Sequence, residues 1–478
     1  KSRWILKDLN KMKFNFFTIG ILLGFLPNIL GLDANLDLNS KIVLQMLITM
    51  IFFWITEAIP LSITALIPIL ISPFLIEFNT KSIFSSYASP VVFLLLGGFI
   101  IANGFEKSCL HQRVAIKTII FFGKTKTSLL LCFIFITAFI SMWLSNTATC
   151  LLMLPIVKFI VDTSFKQNEN NFFSKILILC IAYSSSIGGM TTPIGTIPNA
   201  VMIGFFEEKY NIPINFIDWV IFIAPLSIIL LIFLWLYFSF KIRNEDKRVN
   251  QSLIKKKLIS LGTLSVEEKI TSFILLTVAS LWIFKMKINQ IFEINLSDSG
   301  IALFCAFLFF VIPVNKKYNT ILNADWFRNI PWNVLILFGG GLAMASLVMD
   351  TGLASEISKN IIFLKNFDIF LIILFLTFLT CFFTEFTSNT ATTFLLLPLL
   401  GTFAIDTGLD VVKIILPVVL AASCAFMMPI STPPNAIVFS TGQVNISFMV
   451  KTGILMNIFC IGIISVFISL FGTLAFQL

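Results

Sequence analysis

Two short polar clusters of similar composition stand in an otherwise apolar sequence. SNTATCLLMLP extends from Ser145 to Pro155, and SNTATTFLLLP extends from Ser388 to Pro398. Ser, Asn and Thr are favoured at helix N-termini, so each cluster predicts a helix whose free N–H groups and positive end point toward the cluster. Such a helix end binds anions. Neither cluster contains Lys or Arg, which predicts an anion held by hydroxyls, amides, helix ends and a co-bound cation.

Hydroxyl-bearing side chains recur with one spacing around each cluster. Ser141 and Ser145 in the first copy, and Thr384 and Ser388 in the second, are separated by four positions and lie 243 positions from their counterparts. Together with carbonyl groups freed where helices are interrupted, these oxygens suit a small hard cation such as sodium. A single copy would equally serve close helix packing, but two copies favour a binding site.

A second pair of matching segments follows the clusters. MTTPIGTIPNA begins at Met190, and MPISTPPNA begins at Met428. Proline removes a backbone donor and clashes with the preceding turn, so each segment predicts an interruption of a helix. Backbone groups freed at membrane depth are tolerated only where they line a cavity or bind a ligand. The clusters and the interruptions are therefore expected to form one site.

The composition places these motifs in a membrane. Hydrophobic residues make up 58% of the chain and charged residues 12%, and the mean hydropathy is +0.98, which excludes a water-soluble globular domain. The apolar runs are continuous and several approach the roughly 20 residues that span hydrocarbon, so they predict helices and not barrel strands. We expect an all-α integral membrane protein whose first apolar run is a retained helix and not a signal peptide.

The basic residues predict orientation. The net charge is +9, but Lys and Arg cluster beside the apolar runs, which favours the positive-inside rule over nucleic-acid binding. They place the N-terminus in the cytoplasm and predict eleven transmembrane helices plus two re-entrant hairpins in inverted repeats. The first repeat is predicted over residues 1–240, with a hairpin at about 127–160 and an interrupted helix at about 176–206. A cytoplasmic linker is predicted over 241–268. The second repeat is predicted over 269–478, with a hairpin at about 369–403 and an interrupted helix at about 412–441.

Other notable residues receive simpler interpretations. Glu385 lies inside an apolar segment, where Met142 is its counterpart, and we expect an orienting or water-facing role. The glycine pair at 97–98 and the triplet at 339–341 predict close helix packing. His111 is the only histidine and stands beside basic residues, so we expect a solvated loop there.

In combination, these motifs resemble a known family over nearly the whole chain. WITEAIPLSITALIP (Trp54 to Pro68), TEFTSNTATT (Thr384 to Thr393), the first SNT motif and the IGTIPN and STPPN segments are similar to the divalent-anion/sodium symporter family, which includes sodium-coupled dicarboxylate, citrate and sulfate transporters. The resemblance implies eleven helices, two opposed hairpins and a homodimer. It also implies that scaffold domains hold transport domains that move as elevators.

The resemblance also implies roles for individual residues. The substrate would contact the two SNT motifs, Thr196 and Pro433, a set comprising Ser145, Asn146, Thr147, Thr196, Ser388, Asn389, Thr390 and Pro433. One sodium site would use Ser141, Ser145, Asn146 and Gly195, and the other would use Thr384, Thr387, Asn389 and Ser431. The sequence departs from the family pattern at Ile197, where proline is common, and at Ser431, where Gly or Ala is often found.

The predicted function is secondary active transport with co-transported sodium ions. Two facing SNT tips match the two carboxylates of a C4 dicarboxylate such as succinate, malate or fumarate. The alternatives are sodium-coupled sulfate or citrate transport, sodium-independent dicarboxylate exchange and, in a different class, an anion channel. We do not expect an enzyme or a primary pump, because the sequence offers no nucleophile with a base, metal cluster or nucleotide loop.

Overall fold

The computed structural model describes residues 2–31, 33–75, 80–164, 171–242, 251–315 and 319–476. Every regular element within these ranges is a helix. The first half contains α1 (Ser2–Ile29), α2 (Leu38–Thr56), α3 (Leu61–Thr64), α4 (Ile67–Ile71), α5 (Thr80–Ser86), α6 (Pro90–Lys107), α7 (Leu110–Phe122), α8 (Lys126–Ser141), α9 (Asn146–Ser164), α10 (Asn171–Gly189), α11 (Ile197–Tyr210), α12 (Phe216–Ile242) and α13 (Ser252–Ser260).

The second half continues with helices of similar lengths. They are α14 (Val266–Phe292), α15 (Asp298–Val311), α16 (Trp332–Asp350), α17 (Leu353–Lys359), α18 (Ile369–Phe383), α19 (Asn389–Thr407), α20 (Val411–Ala422), α21 (Pro433–Ser440) and α22 (Ile446–Phe471). Short 3-10 helices occur at Ser72–Phe74, Ala324–Asn329, Ile362–Asn366 and Gly472–Leu474.

Apolar helices of membrane-spanning length confirm the all-α membrane class. Eight spans among the described residues are long and apolar enough to cross a bilayer, namely Leu38–Thr56, Thr80–Lys107, Phe172–Gly189, Phe216–Ile242, Val266–Phe292, Trp332–Asp350, Asn389–Thr407 and Ile446–Leu474. Shorter apolar helices accompany them, including α8, which ends at Ser141, and α18, which ends one residue before Thr384. Helices that are too short to span alone are typical of hairpins and interrupted segments.

Each SNT cluster lies at a turn between two helices. α8 ends at Ser141 and α9 begins at Asn146, whereas α18 ends at Phe383 and α19 begins at Asn389. The proline-containing segments separate α10 from α11 and α20 from α21. Each hairpin reaches across to the other half, because α9 packs on α21 and α19 packs on α11. These contacts bring both clusters and both interruptions into one region.

The glycine runs pack as the sequence predicts. A Cβ on Gly97 would lie 2.7 Å from the Cβ of Ala302 on α15, and a Cβ on Gly340 would overlap the carbonyl oxygen of Ala65. Both positions are therefore closed to larger side chains by neighbouring helices. This confirms close helix packing at both glycine runs.

The solvated loop expected around His111 is wrong. His111 and Arg113 lie on α7 and are only 2% and 6% exposed. Arg113 Nε donates to Glu268 Oε1 over 2.7 Å, and its guanidinium also donates to the carbonyls of 261–263. A buried arginine is stable here because a distant carboxylate and carbonyls satisfy its donors.

The segment interpreted as a linker has structure of its own. It includes the end of α12, all of α13 and the first turn of α14, while its residues 243–250 lie outside the described residues. Gln251 donates to the carbonyls of Ile120 and Gly123, and α13 packs on α7. The described part of this segment is thus attached to α7.

Candidate functional site

The first SNT cluster contributes to a group of inward-facing oxygen atoms. Ser141 Oγ donates to the carbonyl of Ser185 over 2.8 Å and contacts Oδ1 of Asn146, also at 2.8 Å. The Asn146 amide faces three oxygens, those of Ser141 Oγ, Ser185 O and Gly195 O. With its nitrogen inward, the amide satisfies these acceptors itself, at 2.8, 2.9 and 3.3 Å. With its oxygen inward, it completes a four-oxygen set suited to a small cation.

Glycine residues bring the backbone close to this group of oxygen atoms. A Cβ on Gly195 would lie 2.8 Å from the carbonyl oxygen of Ser141 and would overlap that of Gly189. The Asn146 amide is therefore held against the interruption between α10 and α11 with no spare volume. Such close approach of backbone to a ligand position is a common use of glycine.

The second cluster repeats this arrangement with different side chains. Thr384 Oγ1 contacts Asn389 Oδ1 at 2.7 Å and the carbonyl oxygen of Ala422 at 3.1 Å. Thr384 and Asn389 thus correspond to Ser141 and Asn146, and the Ala422 carbonyl corresponds to that of Ser185. Two equivalent oxygen groups therefore lie in the two halves of the chain.

Two further residues assigned to the second cation site have other partners. Thr387 Oγ1 donates to the carbonyl of Phe383 over 3.0 Å and shares a 2.7 Å hydrogen bond with Thr392. Ser431 Oγ donates to the carbonyl of Met428 over 2.7 Å. A hydrogen bond therefore joins Thr384 to Asn389 directly, whereas the hydroxyls of Thr387 and Ser431 bond to other residues.

The asparagines of the PN segments hold the interrupted helices. Asn199 Nδ2 lies 3.3 Å from the carbonyl oxygen of Gly189 and 2.8 Å from that of Thr192. Asn435 Nδ2 makes the equivalent contacts, at 3.0 Å to Ala425 O and 3.1 Å to Met428 O. Each asparagine thus satisfies carbonyls that an interrupted helix leaves unpaired.

Four helices begin at this region, and their N-terminal residues differ in exposure. Ser145 Oγ accepts from the backbone N–H of Ala148 over 3.3 Å, as an N-cap residue does. α11, α19 and α21 begin beside Thr196, Ser388 and Thr432, respectively. The candidate anion contacts include exposed or half-buried positions, whereas the hydroxyls of Ser141 and Thr384 belong to fully buried residues.

Comparison with known proteins assigns this architecture to a family. The family model described as the sodium:sulfate symporter transmembrane region matches residues 9–478. The chain belongs to the sodium:sulfate symporter family. This confirms the resemblance to divalent-anion/sodium symporters that the motifs predict.

Relatives of this sodium:sulfate symporter family member match most of the chain. The sodium-dependent dicarboxylate transporter of Staphylococcus saprophyticus is 34% identical, and the alignment covers 97% of this chain and 94% of that protein. The protein of the same name from Staphylococcus aureus strain USA300 is 36% identical, with 92% of this chain and 88% of that protein covered.

A solved structure shares the fold. The YdaH transporter of Alcanivorax borkumensis matches with a TM-score of 0.54 and 12% sequence identity, and the match covers 82% of this chain and 88% of that one. At this identity the likeness concerns the fold alone.

In this symporter-family chain, the structure adds residues that the motifs did not assign to the site. The carbonyls of Ser185 and Ala422 complete the two oxygen groups, and Asn199 and Asn435 position the interruptions. The duplicated PN pair was the sequence signal for the two asparagines. A backbone carbonyl carries no such signal, because any residue type provides one.

Proposed function

We propose that this protein is a secondary active transporter that carries C4 dicarboxylates, such as succinate, malate and fumarate, together with sodium. The observation that carries the proposal is the duplicated oxygen group around Asn146 and Asn389, each at the start of a helix whose positive end favours an anion. A cation beside each helix end offsets the charge of a bound carboxylate. Relatives named sodium-dependent dicarboxylate transporters, alike over most of their length, support the same coupling and substrate class.

The residues at the helix N-termini would bind the carboxylates: Ser145, Asn146, Thr147, Thr196, Ser388, Asn389, Thr390 and Pro433. Most of them are exposed or half-buried, whereas Thr196 and Thr390 are buried. The oxygen groups would bind sodium through Ser141, Ser145, Asn146 and Gly195 on one side and Thr384, Thr387, Asn389 and Ser431 on the other. The carbonyls of Ser185 and Ala422 would join them, since freed carbonyls coordinate sodium in transporters with interrupted helices.

The proposed membrane arrangement extends this site to the whole chain. The protein would cross the cytoplasmic membrane eleven times from a cytoplasmic N-terminus, with the two helix pairs α8–α9 and α18–α19 as re-entrant hairpins of inverted repeats. A homodimer would provide the scaffold against which each transport domain moves as an elevator. Hairpin-sized apolar helices and the reciprocal packing of α9 on α21 and α19 on α11 support this arrangement. We propose no enzymatic activity for this protein.

Substrate size distinguishes the candidates. Two similar anion-binding helix ends suit a molecule with a carboxylate at each end. Sulfate is compact and has no second anionic end. It is the second candidate, because the matching family model is described as a sodium:sulfate symporter region. Citrate has a third carboxylate, for which neither SNT cluster supplies a basic partner.

Uptake by purified protein in proteoliposomes tests the proposal. An inward sodium gradient should accumulate labelled succinate above its external concentration, and a matched potassium gradient should not. Unlabelled succinate should compete better than sulfate or citrate. Accumulation is incompatible with a channel, which cannot work against a gradient. Equal uptake in both media, with exchange for internal succinate, would instead identify a sodium-independent exchanger.

A further inference from the structure

The second hairpin buries a carboxylate that the sodium and substrate assignments do not use. Glu385 follows Thr384 and is completely buried. Its Oε1 accepts from the backbone N–H groups of Phe426 at 2.8 Å and Met427 at 2.9 Å, and its Oε2 accepts from that of Met428 at 3.0 Å. Asn457 Nδ2 on α22 donates to the same Oε1 over 2.7 Å. Four donors therefore surround one carboxylate.

These backbone donors belong to the interruption between α20 and α21. Consecutive N–H groups pointing in one direction form an anion-binding concavity, and buried N–H groups require a partner. On the other side of the same segment, Asn435 Nδ2 donates hydrogen bonds to the carbonyls of Ala425 and Met428. Glu385 and Asn435 thus fix the segment 425–428 from its donor and acceptor sides.

The first half of the chain holds its interruption with neutral groups. Met142 occupies the position equivalent to Glu385, and its carbonyl accepts from Thr192 Oγ1 over 2.7 Å. The indole N–H of Trp219 donates to the carbonyl of Met190 over 3.1 Å. The buried carboxylate is therefore a feature of the second half.

We propose that Glu385 is a positioning residue for the second oxygen group. The inference rests on the proposed sodium-coupled transport. Glu385 joins the turn after α18, which contains Thr384, to the segment that follows the Ala422 carbonyl. By fixing these two parts relative to each other, the carboxylate sets the distance between the Thr384 hydroxyl, the Asn389 amide and that carbonyl. Sodium binding at the second group therefore depends on Glu385, and binding at the first group does not.

Glu385→Gln tests this role with little change in volume. The new amide has one acceptor oxygen, so its NH₂ group faces at least one backbone N–H and leaves that buried donor unpaired. We expect the sodium concentration for half-maximal succinate uptake to rise about tenfold or more, with reduced sodium cooperativity. The succinate KM at saturating sodium should change less than the sodium requirement does. A general loss of structure would instead lower the maximal rate without this separation.

Two further variants make the result decisive. Glu268→Gln removes another buried carboxylate, which pairs with Arg113 away from the site, and it should lower the melting temperature without changing sodium activation. Asn457→Ala removes a side-chain donor to Glu385 and should raise the sodium requirement less than Glu385→Gln does. If Glu385→Gln does not fold, an unchanged sodium requirement in Asn457→Ala overturns the proposal.

Different results would refute the sodium coupling and the role of Glu385. Sodium-independent uptake by the unaltered protein would refute the proposed coupling. Sodium-dependent uptake by the unaltered protein, with the same sodium activation in folded Glu385→Gln, would refute only the role of Glu385.

Discussion

Gly189 packs directly against the side-chain amide of Asn146, so that a Cβ at Gly189 would overlap that amide. The two residues lie on different helices, α10 and α9. The contact places the end of α10 against the side chain that the first oxygen group requires. The absence of a side chain at residue 189 therefore helps to set the position of Asn146.

Gly189→Ala should selectively damage the first oxygen group. The added methyl group would overlap the Asn146 amide and lie 3.0 Å from the carbonyl oxygen of Gly195, so it should displace the amide from Ser141 and the Ser185 carbonyl. We expect sodium-dependent succinate uptake to fall at least about tenfold, corresponding to about 1.4 kcal/mol. Gly462→Ala is the matched control, since a Cβ there meets no atom within 4 Å. Normal sodium activation in folded Gly189→Ala would contradict the assigned geometry.

Asn146→Ala and Asn389→Ala should each abolish transport while the protein remains folded. In the proposed site, each amide would contact both an anion at the helix N-terminus and a cation beside Ser141 or Thr384. Proteoliposome uptake measures the loss, and the sodium-induced rise in melting temperature reports binding separately. Asn360→Ala at an exposed helix end provides the control. Wild-type uptake by either site variant would overturn the site assignment.

Asn199→Ala and Asn435→Ala should lower stability as well as transport. Each substitution leaves carbonyls of an interrupted helix without their amide donor, at a cost of about 1–3 kcal/mol for each buried group left unsatisfied. We expect both variants to have a lower melting temperature than the unaltered protein in detergent without sodium. Unchanged melting temperatures would show that other donors hold the two interruptions. The comparison with Asn146→Ala separates this structural role from direct ligand binding.

Thr147→Ala and Thr390→Ala should each weaken succinate uptake. Each removes a hydroxyl whose net hydrogen bond is worth about 0.5–1.5 kcal/mol, and more if a buried carboxylate oxygen is left unpaired. The succinate KM of both variants measures the effect, and replacement by Ser should restore most of it. Sulfate that displaces labelled succinate from the unaltered protein better than unlabelled succinate does would contradict the dicarboxylate assignment.

Prolines show where local sequence stops predicting helix interruptions. Pro155 and Pro398 lie inside the continuous helices α9 and α19, whereas Pro193 and Pro429 lie in the two interruptions. The same residue type therefore has two outcomes. The difference is that Asn199 and Asn435 provide replacement donors at the interruptions, and those contacts form only after the chain folds back on itself.

The sequence by itself determined the membrane class, the two-fold repetition and the side chains of the two polar groups. Continuous apolar runs leave helices as the way to pair backbone groups in lipid, and the constant offset between the SNT clusters reveals the repeat. The tertiary structure alone decided the rest. It brought the carbonyls of Ser185 and Ala422 to the two hydroxyls and buried Arg113 against Glu268, 155 positions away. Such partners come from distant helices, and their pairing depends on three-dimensional packing that no local pattern encodes.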